Sequence, residues 1–553
     1  MLKIVPVFLL VFWVNNIWAT SIDSTQIVNG EKHFELYCGA CHNFKMDGIG
    51  PNLSGIFEEL SQEWVKSFIK NPQEKIDLKD KRALAQYKKF KAIMPSFDYL
   101  AENELNEILA FLKTKVAPKI SSQNENLEIK DPIPKKIQKS DLVLKLKLFA
   151  EIPHSSSTKL HTRIVKMDFH PVTKQNYILD LNGKLYQLID NKPVEYLNMA
   201  TYMPNFINVP GLATGFGNFE FHPEFGKNGL LYTSHTEAVT NKKADFSYAD
   251  SIPIKLQYVI TEWQTEFPFK VPFIGKSKEL FRVDMVTQIH GVQELAFNPY
   301  AKKGNEDYGL LYIGIGDGGS AEQGYWQLPN NPKHIWGNIL RIDPNGNNSK
   351  NGKYGIPSSN PFVSNDNLGE IYSMGFRNPH RFSWAKSGKM LVTNIGQRQI
   401  ESLNIVEKGR NYGWPMREGT FLINHKGNLN KVYPLPPDDP KFNFTYPVVQ
   451  IDHDEINAIG GGYEYLGKDI TVLKGKYIFG SIVEGRLFYV NEKELILGKQ
   501  IAPKELQISF GGKVTNFKEL TQNSRVDLRI GQDAAGEIYF FTKPDGKIYK
   551  IVK

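Results

Sequence analysis

The apolar positions along this chain change rhythm three times, and each change marks a segment. Lys3 is followed by an apolar run from Ile4 to Val14, then by Asn15, Asn16, Ile17, Trp18 and Ala19. About a dozen apolar residues are too few to cross a bilayer as a helix, so residues 1–19 read as an export signal cleaved after Ala19 rather than as an anchor. Beyond it, Gly30 and Phe34 share one face of a predicted helix that runs into Cys38. Leu105, Ile108, Leu109, Phe111 and Leu112 then recur at helical spacing. The two helices can pack on each other, which predicts an all-α domain over residues 20–117. Residues 118–140 are polar, with Pro132 and Pro134 and little periodicity, and read as a tether.

From residue 141 to 553 the rhythm is that of short strands. Phe169-His170-Pro171 leads to Gly183-Lys184-Leu185-Tyr186, Phe221-His222-Pro223 to Gly229-Leu230-Leu231-Tyr232, and Phe297-Asn298-Pro299 to Gly309-Leu310-Leu311-Tyr312. Fainter copies start at Phe382, Gly475 and Gln532, giving six hairpin units at irregular spacing. Such repetition predicts an all-β six-bladed propeller with long loops, the alternative being a stacked β-sandwich array.

Composition narrows the picture. A chain of 553 residues exceeds the usual size of one domain. The net charge of +8 is spread out, with no block of like charge, so no nucleic-acid partner is expected. No second stretch has transmembrane length, so the mature protein is expected to be periplasmic or secreted, with no membrane anchor after signal cleavage. Both cysteines of the chain sit in one five-residue motif, Cys38-Gly39-Ala40-Cys41-His42. In C-x-x-C-H the two thiols add to haem vinyl groups and the adjacent imidazole reaches the iron, so one covalent haem c is expected at Cys38 and Cys41 with His42 on the metal. A thioredoxin-like redox pair and half a zinc site are the alternatives.

The surroundings of the motif resemble class I cytochromes c. Gly48-Ile49-Gly50-Pro51-Asn52-Leu53 is similar to the family turn whose Pro carbonyl accepts a hydrogen bond from the iron-bound His. Ala92-Ile93-Met94-Pro95-Ser96-Phe97 is similar to the segment whose thioether is the second ligand, which implies Met94 on the iron. Met94 could instead fill a core gap. His and Met together leave no open coordination position, which suits electron transfer. Lysines between Lys66 and Lys91 form a basic region able to steer an acidic redox partner.

Residues 150 to 553 resemble the soluble glucose/sorbosone dehydrogenase family in a series of ordered blocks. They are Gly215-Phe216-Gly217-Asn218-Phe219-Glu220-Phe221-His222-Pro223, Ile289-His290-Gly291-Val292, Gly314-Ile315-Gly316-Asp317-Gly318-Gly319, Gly337-Asn338-Ile339-Leu340-Arg341, Gly375-Phe376-Arg377-Asn378-Pro379 and Asn411-Tyr412-Gly413-Trp414-Pro415. The resemblance implies a propeller that uses pyrroloquinoline quinone (PQQ) and Ca2+ to oxidise aldoses. His290 would be the general base and Arg377 its catalytic companion, with Arg377, Asn378 and Glu401 near the quinone and the Gly396 and Gln397 carbonyls on calcium. Four places depart from the family pattern: Ala213 and Val483 stand where it has a glutamine and a lysine, Arg525-Val526-Asp527-Leu528-Arg529 replaces its paired arginines, and Asp452-His453-Asp454-Glu455 stands where it has an aromatic-rich cofactor wall. His290 could be a structural loop histidine, and Arg377 could merely tie loops together.

Together these readings predict an exported quinohaemoprotein that oxidises a sugar or related alcohol and passes electrons through the haem to a redox partner protein or respiratory acceptor. The alternatives are a non-enzymatic electron carrier whose degenerate propeller binds carbohydrate or a protein, and a metal-dependent hydrolytic site at Asp452, His453, Asp454 and Glu455.

Overall fold

Ser61 and Asn71 each begin a helix in the first domain. Their side-chain oxygens accept from the amides of Trp64 and Glu74, and Pro72 occupies a first-turn position where no N–H is missed. The computed structural model describes residues 24–45, 47–90, 93–116, 127–157, 161–209 and 213–553. The expected export signal, Ala92 and the first part of the tether lie outside the described residues. Among the described residues no helix is long and apolar enough to cross a membrane.

The first helix, Ser24–Tyr37, crosses the last, Glu102–Lys113, at Gly30. A Cβ there would fall 2.0 Å from the carbonyl oxygen of Glu107 and 2.9 Å from the Cβ of Phe111, so only glycine lets the backbones meet. Phe34 and Phe111 then meet with tilted rings, their centroids 5.4 Å apart, beside Cys38. Gly30→Ala is expected to destabilise this domain by about 2 kcal/mol, the usual cost of overpacking, measurable by thermal unfolding followed at the haem absorbance.

The large domain is a ring of six four-stranded blades, and its closure excludes the sandwich array. Blade 1 runs outward from Ile164–Phe169 to Lys192–Asn198, blade 2 from Phe216–Phe221 to Lys276–Met285 and blade 3 from Val292–Phe297 to Ile371–Met374. Blade 4 runs from Pro379–Trp384 to Val449–Asp452, and blade 5 from Ile459–Glu464 to Lys504–Phe510. Blade 6 takes Leu528–Gln532, Ile538–Thr542 and Lys547–Val552 from the end of the chain and its outermost strand, Gln138–Glu151, from the beginning. Leu146 lies opposite Ile551 in that antiparallel pairing, which joins the two ends of the propeller. The innermost strands touch in sequence around the ring, Leu528–Gln532 meeting Ile164–Phe169.

The innermost strands of blades 1 to 4 share a defect that shapes the channel. Each skips its second residue in the pairing with the next strand, a bulge at Val165, Gly217, Gln293 and His380. A bulge re-aims the following side chain. Here the following residues are Lys166, Asn218, Glu294 and Arg381, and they meet. The Lys166 ammonium contacts Asn218 Oδ1 at 2.9 Å and Glu294 Oε1 at 2.7 Å, and Glu294 Oε2 lies 3.4 Å from Arg381 Nε. Four blades are thereby tied by one buried ionic belt.

The tether is less free than its polarity implies. Ile129 forms a β-bridge with Val432 and packs near Trp414 and Ile423, while Ile137 packs on the core of blades 4 and 5. The amides of Ile133 and Ile137 donate to Asp452 Oδ2 and Glu455 Oε1, both at 3.3 Å, and strand geometry starts at Gln138. Isolated isoleucines in the polar stretch are what bury against the propeller.

Candidate functional site

The C-x-x-C-H motif continues the end of the first helix. Cys38 N bonds to Phe34 O at 2.7 Å, and His42 N to Cys38 O at 3.0 Å. His42 Nδ1 donates to the Pro51 carbonyl at 2.9 Å, which leaves Nε2 as the nitrogen with a lone pair for iron. A Cβ at Gly50 would fall 2.3 Å from the His42 ring, so glycine is what lets the turn close over the imidazole. Burial pushes the Cys38 thiol up to about 12 and Cys41 to about 11, the reverse of the lowered pKa of a thioredoxin-like pair. Among the described residues no third His, Cys, Asp or Glu completes a metal cluster, which disfavours zinc. Met94 packs on Val65, Ile69, Leu105 and Leu109. Its loop is pinned to the Gln62–Lys70 helix by Phe97 N to Ile69 O at 3.1 Å and Ser96 Oγ to Lys70 O at 2.6 Å. The Met94 cluster shares Ile56, Phe57 and Phe97 with that of Cys38. Two thiols, an oriented imidazole and a thioether on one apolar pocket fit a covalent haem.

His290 precedes the innermost strand of blade 3 and holds φ at 53°, a left-handed conformation that a non-glycine residue adopts only under constraint. It is buried, and its Nδ1 lies 2.8 Å from Asp317 Oδ1. Asp317 also accepts from Trp414 Nε1 at 3.0 Å and from Gly319 N at 2.9 Å. Hydrogen bonds and positive neighbours hold its carboxyl below the usual range despite burial. Ionised, Asp317 can only accept, so His290 carries its proton on Nδ1 and keeps Nε2 free as a base. Burial and then the Arg377 guanidinium lower the His290 pKa, while Asp317 opposes them. The adjacent Gly291 gives its face to Tyr258, whose ring would lie 2.0 Å from a Cβ there.

Arg377 is fully engaged. Its Nε donates to Gln397 Oε1 at 2.8 Å, one terminal nitrogen to Gly396 O at 2.7 Å and the other to Glu322 Oε1 at 2.7 Å. This corrects the calcium expectation at Gly396. A divalent cation on that carbonyl would sit against a guanidinium, so the arrangement does not fit Ca2+ there. Glu401 accepts from Ile459 N at 2.9 Å and lies 2.8 Å from His453 Nε2, so it anchors loops. The Gln397–Ile400 loop is held instead by Glu418, one of whose oxygens accepts four successive backbone amides at 2.7 to 3.0 Å. Asn378 Oδ1 is buried without a partner near Gly316, and so remains available to a ligand. The hydrolytic reading fails because its members do not converge: Asp452 and Glu455 hold the tether, and His453 faces Glu401.

The helical domain sits on this same end of the propeller. Arg398 donates to Ile49 O at 2.7 Å, with its guanidinium 4.5 Å from the Phe90 ring, and Asn430 donates to Asp47 O at 2.7 Å. Lys45 bonds to Gln323 O at 3.0 Å, and Glu35 pairs with Lys255 at 2.9 Å. Glu322, the partner of Arg377, has its other oxygen 3.2 Å from where a Cβ of Gly48 would stand, and Gly50 N bonds to Cys41 O at 2.8 Å. The Cys41 sulfur lies within electrostatic reach of Arg525, Glu322 and Arg398. Arg377, Glu322 and the Cys41 turn thus form one contiguous series.

Asp317 and Trp414 stood within sequence blocks already noted, but their hydrogen bonds to each other and to His290 had no sequence signal. Neither did Glu322, Arg398 or Glu418.

Fold and site together define a cytochrome c seated on the loop end of a six-bladed propeller. A model of the family described as Glucose / Sorbosone dehydrogenase matches residues 182–550, and a Cytochrome c model matches residues 27–115. The chain therefore belongs to the glucose/sorbosone dehydrogenase family and carries a cytochrome c domain, which implies haem c. It is 26% identical over 311 residues to HIPL1 protein of Arabidopsis thaliana, covering 48% of this chain and 42% of that one. It is also 26% identical over 332 residues to quinoprotein glucose dehydrogenase B of Acinetobacter calcoaceticus, covering 56% of this chain and 62% of the relative. The chain thus spans less than two thirds of either relative. A crystal structure of a glucose dehydrogenase superposes with a TM-score of 0.50 at 17% identity, over 74% of this chain and 99% of that one, which establishes the fold.

Proposed function

We propose that this chain is an exported quinohaemoprotein dehydrogenase that oxidises an aldose or related alcohol and delivers the electrons through its own haem to an external acceptor. The observation that carries the reading is the seating of the Cys41 turn on Glu322, the carboxylate that also grips Arg377, one loop from His290. PQQ, when bound, supplies a two-electron acceptor for the carbon-bound hydrogen of the substrate. The residues that would hold it are Asn378, with its unsatisfied oxygen, and cations around the channel mouth. His290 Nε2 takes the hydroxyl proton, and Asp317 stabilises the imidazolium that results. Arg377, fixed on three sides, keeps positive charge beside that base without moving. The fused haem replaces a bimolecular encounter by a local one.

The test is haem reduction in the PQQ-loaded full chain on adding a panel of aldoses with no other acceptor. Reduction is expected at a rate independent of protein concentration. A rate proportional to concentration would refute intramolecular delivery, and no reduction with any sugar would refute the dehydrogenase reading.

A further inference from the structure

At the end of the propeller away from the helical domain, the Phe169-His170-Pro171 turn fastens an apolar loop. His290 precedes the innermost strand of its blade and marks the catalytic end. Turns that follow innermost strands, and connections from third to fourth strands of these antiparallel blades, lie at the other end. One such connection, residues 265–275, joins Leu256–Gln264 to Lys276–Met285 in blade 2. His170 Nε2 donates to the Pro268 carbonyl at 3.3 Å, while its Nδ1 accepts from the amides of Val172 and Thr173 at 3.0 and 3.1 Å. Thr265 Oγ1 donates to Ile274 O at 2.6 Å and accepts from Phe267 N at 2.9 Å, which closes the loop at its base. Phe273 turns inward, edge-on to Trp263 and Tyr196, and its amide donates to Tyr196 O at 2.7 Å.

The loop is thus fixed with its other large apolar side chains outward. Phe269 is 60% exposed, Phe267 54% and Ile274 45%, and Val172 of the neighbouring turn is 54% exposed. A Cβ at Gly226 would lie 2.6 Å from Val172 Cγ2 and 3.7 Å from Phe269 Cζ, so turn and loop form one surface. Adjoining apolar side chains held rigidly in water mark an interaction site. The rim is cationic: Lys174, Lys227, Lys270 and Lys303 are all exposed there, and the carboxylates beside them are Glu224 and Glu266. Glu224 is shared between Lys227 at 3.8 Å and Lys303 at 3.7 Å, and Lys270 Nζ stands 5.5 Å from the centre of the Phe267 ring, so the surface keeps a positive balance. Four side chains about half exposed offer on the order of 400 Å², half of the roughly 800 Å² that each partner buries in a stable protein interface. Aromatic residues beside lysines are instead the composition that enters a lipid headgroup layer, where apolar insertion and attraction to anionic lipid act together.

We propose that this end of the propeller docks on an anionic phospholipid surface, with Phe267 and Phe269 inserted among the headgroups and the lysines set against the lipid phosphates. The helical domain, at the opposite end of the ring, then points away from the bilayer toward solution. Docking of this kind is independent of what the propeller oxidises.

The test is flotation of the haem-loaded full chain with vesicles of equal parts phosphatidylglycerol and phosphatidylcholine, and with vesicles of phosphatidylcholine alone. Wild type and the surface control Val514→Ser, altered at an exposed valine of blade 5, are expected to float alike with the anionic vesicles. The double variant Phe267→Ser/Phe269→Ser should bind them roughly tenfold more weakly or worse, with its haem spectrum and Tm unchanged because both rings are exposed. Salt at about 1 M, which screens charge within about 3 Å, should release most of the wild type. Failure of the wild type to float would overturn the proposal, and so would equal binding by the double variant. Equal binding to phosphatidylcholine alone would refute the part given to the lysines. Self-association in sedimentation velocity that the double variant loses, without flotation of the wild type, would assign the surface to a second copy of the chain and overturn membrane docking.

Discussion

Replacing His290 by glutamine is expected to lower kcat for sugar oxidation by about a thousandfold, within the range of roughly 10²–10⁴ that a positioned general base contributes. Covalent haem content and its reduction by dithionite should be unchanged, because His290 lies in the propeller loop and the haem ligands in the other domain. The pH profile separates a base from a structural histidine. The base works only when neutral, and its pKa lies below the ordinary 6.5, so kcat/KM should fall with acid only at pH below 6.5. Arg377 lowers that pKa and Asp317 raises it. Arg377→Gln should therefore shift the acid limb upward and Asp317→Asn downward, the latter with a slower rate because the base is weaker and its tautomer no longer fixed. Stopped-flow haem reduction between pH 4.5 and 8 reads both shifts. Unchanged kcat in His290→Gln would remove this residue from the chemistry.

What the sequence disclosed follows from where the constraints lie along the chain. Covalent haem attachment forces Cys38, Cys41 and His42 into one short run, and the Pro51 acceptor follows nine residues later, so this site could be read almost whole. The propeller was legible because each blade repeats a hairpin with a glycine-led strand. The ionic belt was not: Lys166, Asn218, Glu294 and Arg381 belong to four blades, and only the shared bulge, invisible in periodicity, turns them toward one another. The same limit hid the three donations of Arg377, one of them to the Gly396 carbonyl. Seating of one domain on the other rests on isolated polar contacts such as Arg398 to Ile49 O, with no run of residues to announce them. Charged groups were thus identified as types and misjudged as to partners, because partnership in a ring is set by topology rather than by neighbours in the chain.

Replacing Met94 by histidine is expected to stop substrate-driven haem reduction while leaving oxidation with an artificial acceptor intact. Thioether ligation raises the haem potential, and axial ligands span about 0.8 V across proteins. A drop of about 0.2 V, a quarter of that span, corresponds to roughly three powers of ten in a one-electron equilibrium at about 59 mV per decade. That is enough to turn electron delivery from the propeller uphill. The loop should tolerate the change, since Met94 is only partly buried and the loop is held by Ser96 and Phe97 rather than by the side chain. Redox titration of the full chain, with a dye-linked assay alongside, distinguishes the two roles open to this residue. A methionine that only fills the gap among Val65, Ile69 and Leu109 would leave the potential where it was and cost stability instead. A ligand would move the potential by the amount argued and leave the propeller's own turnover unchanged, because electrons then leave by the dye and never reach His42.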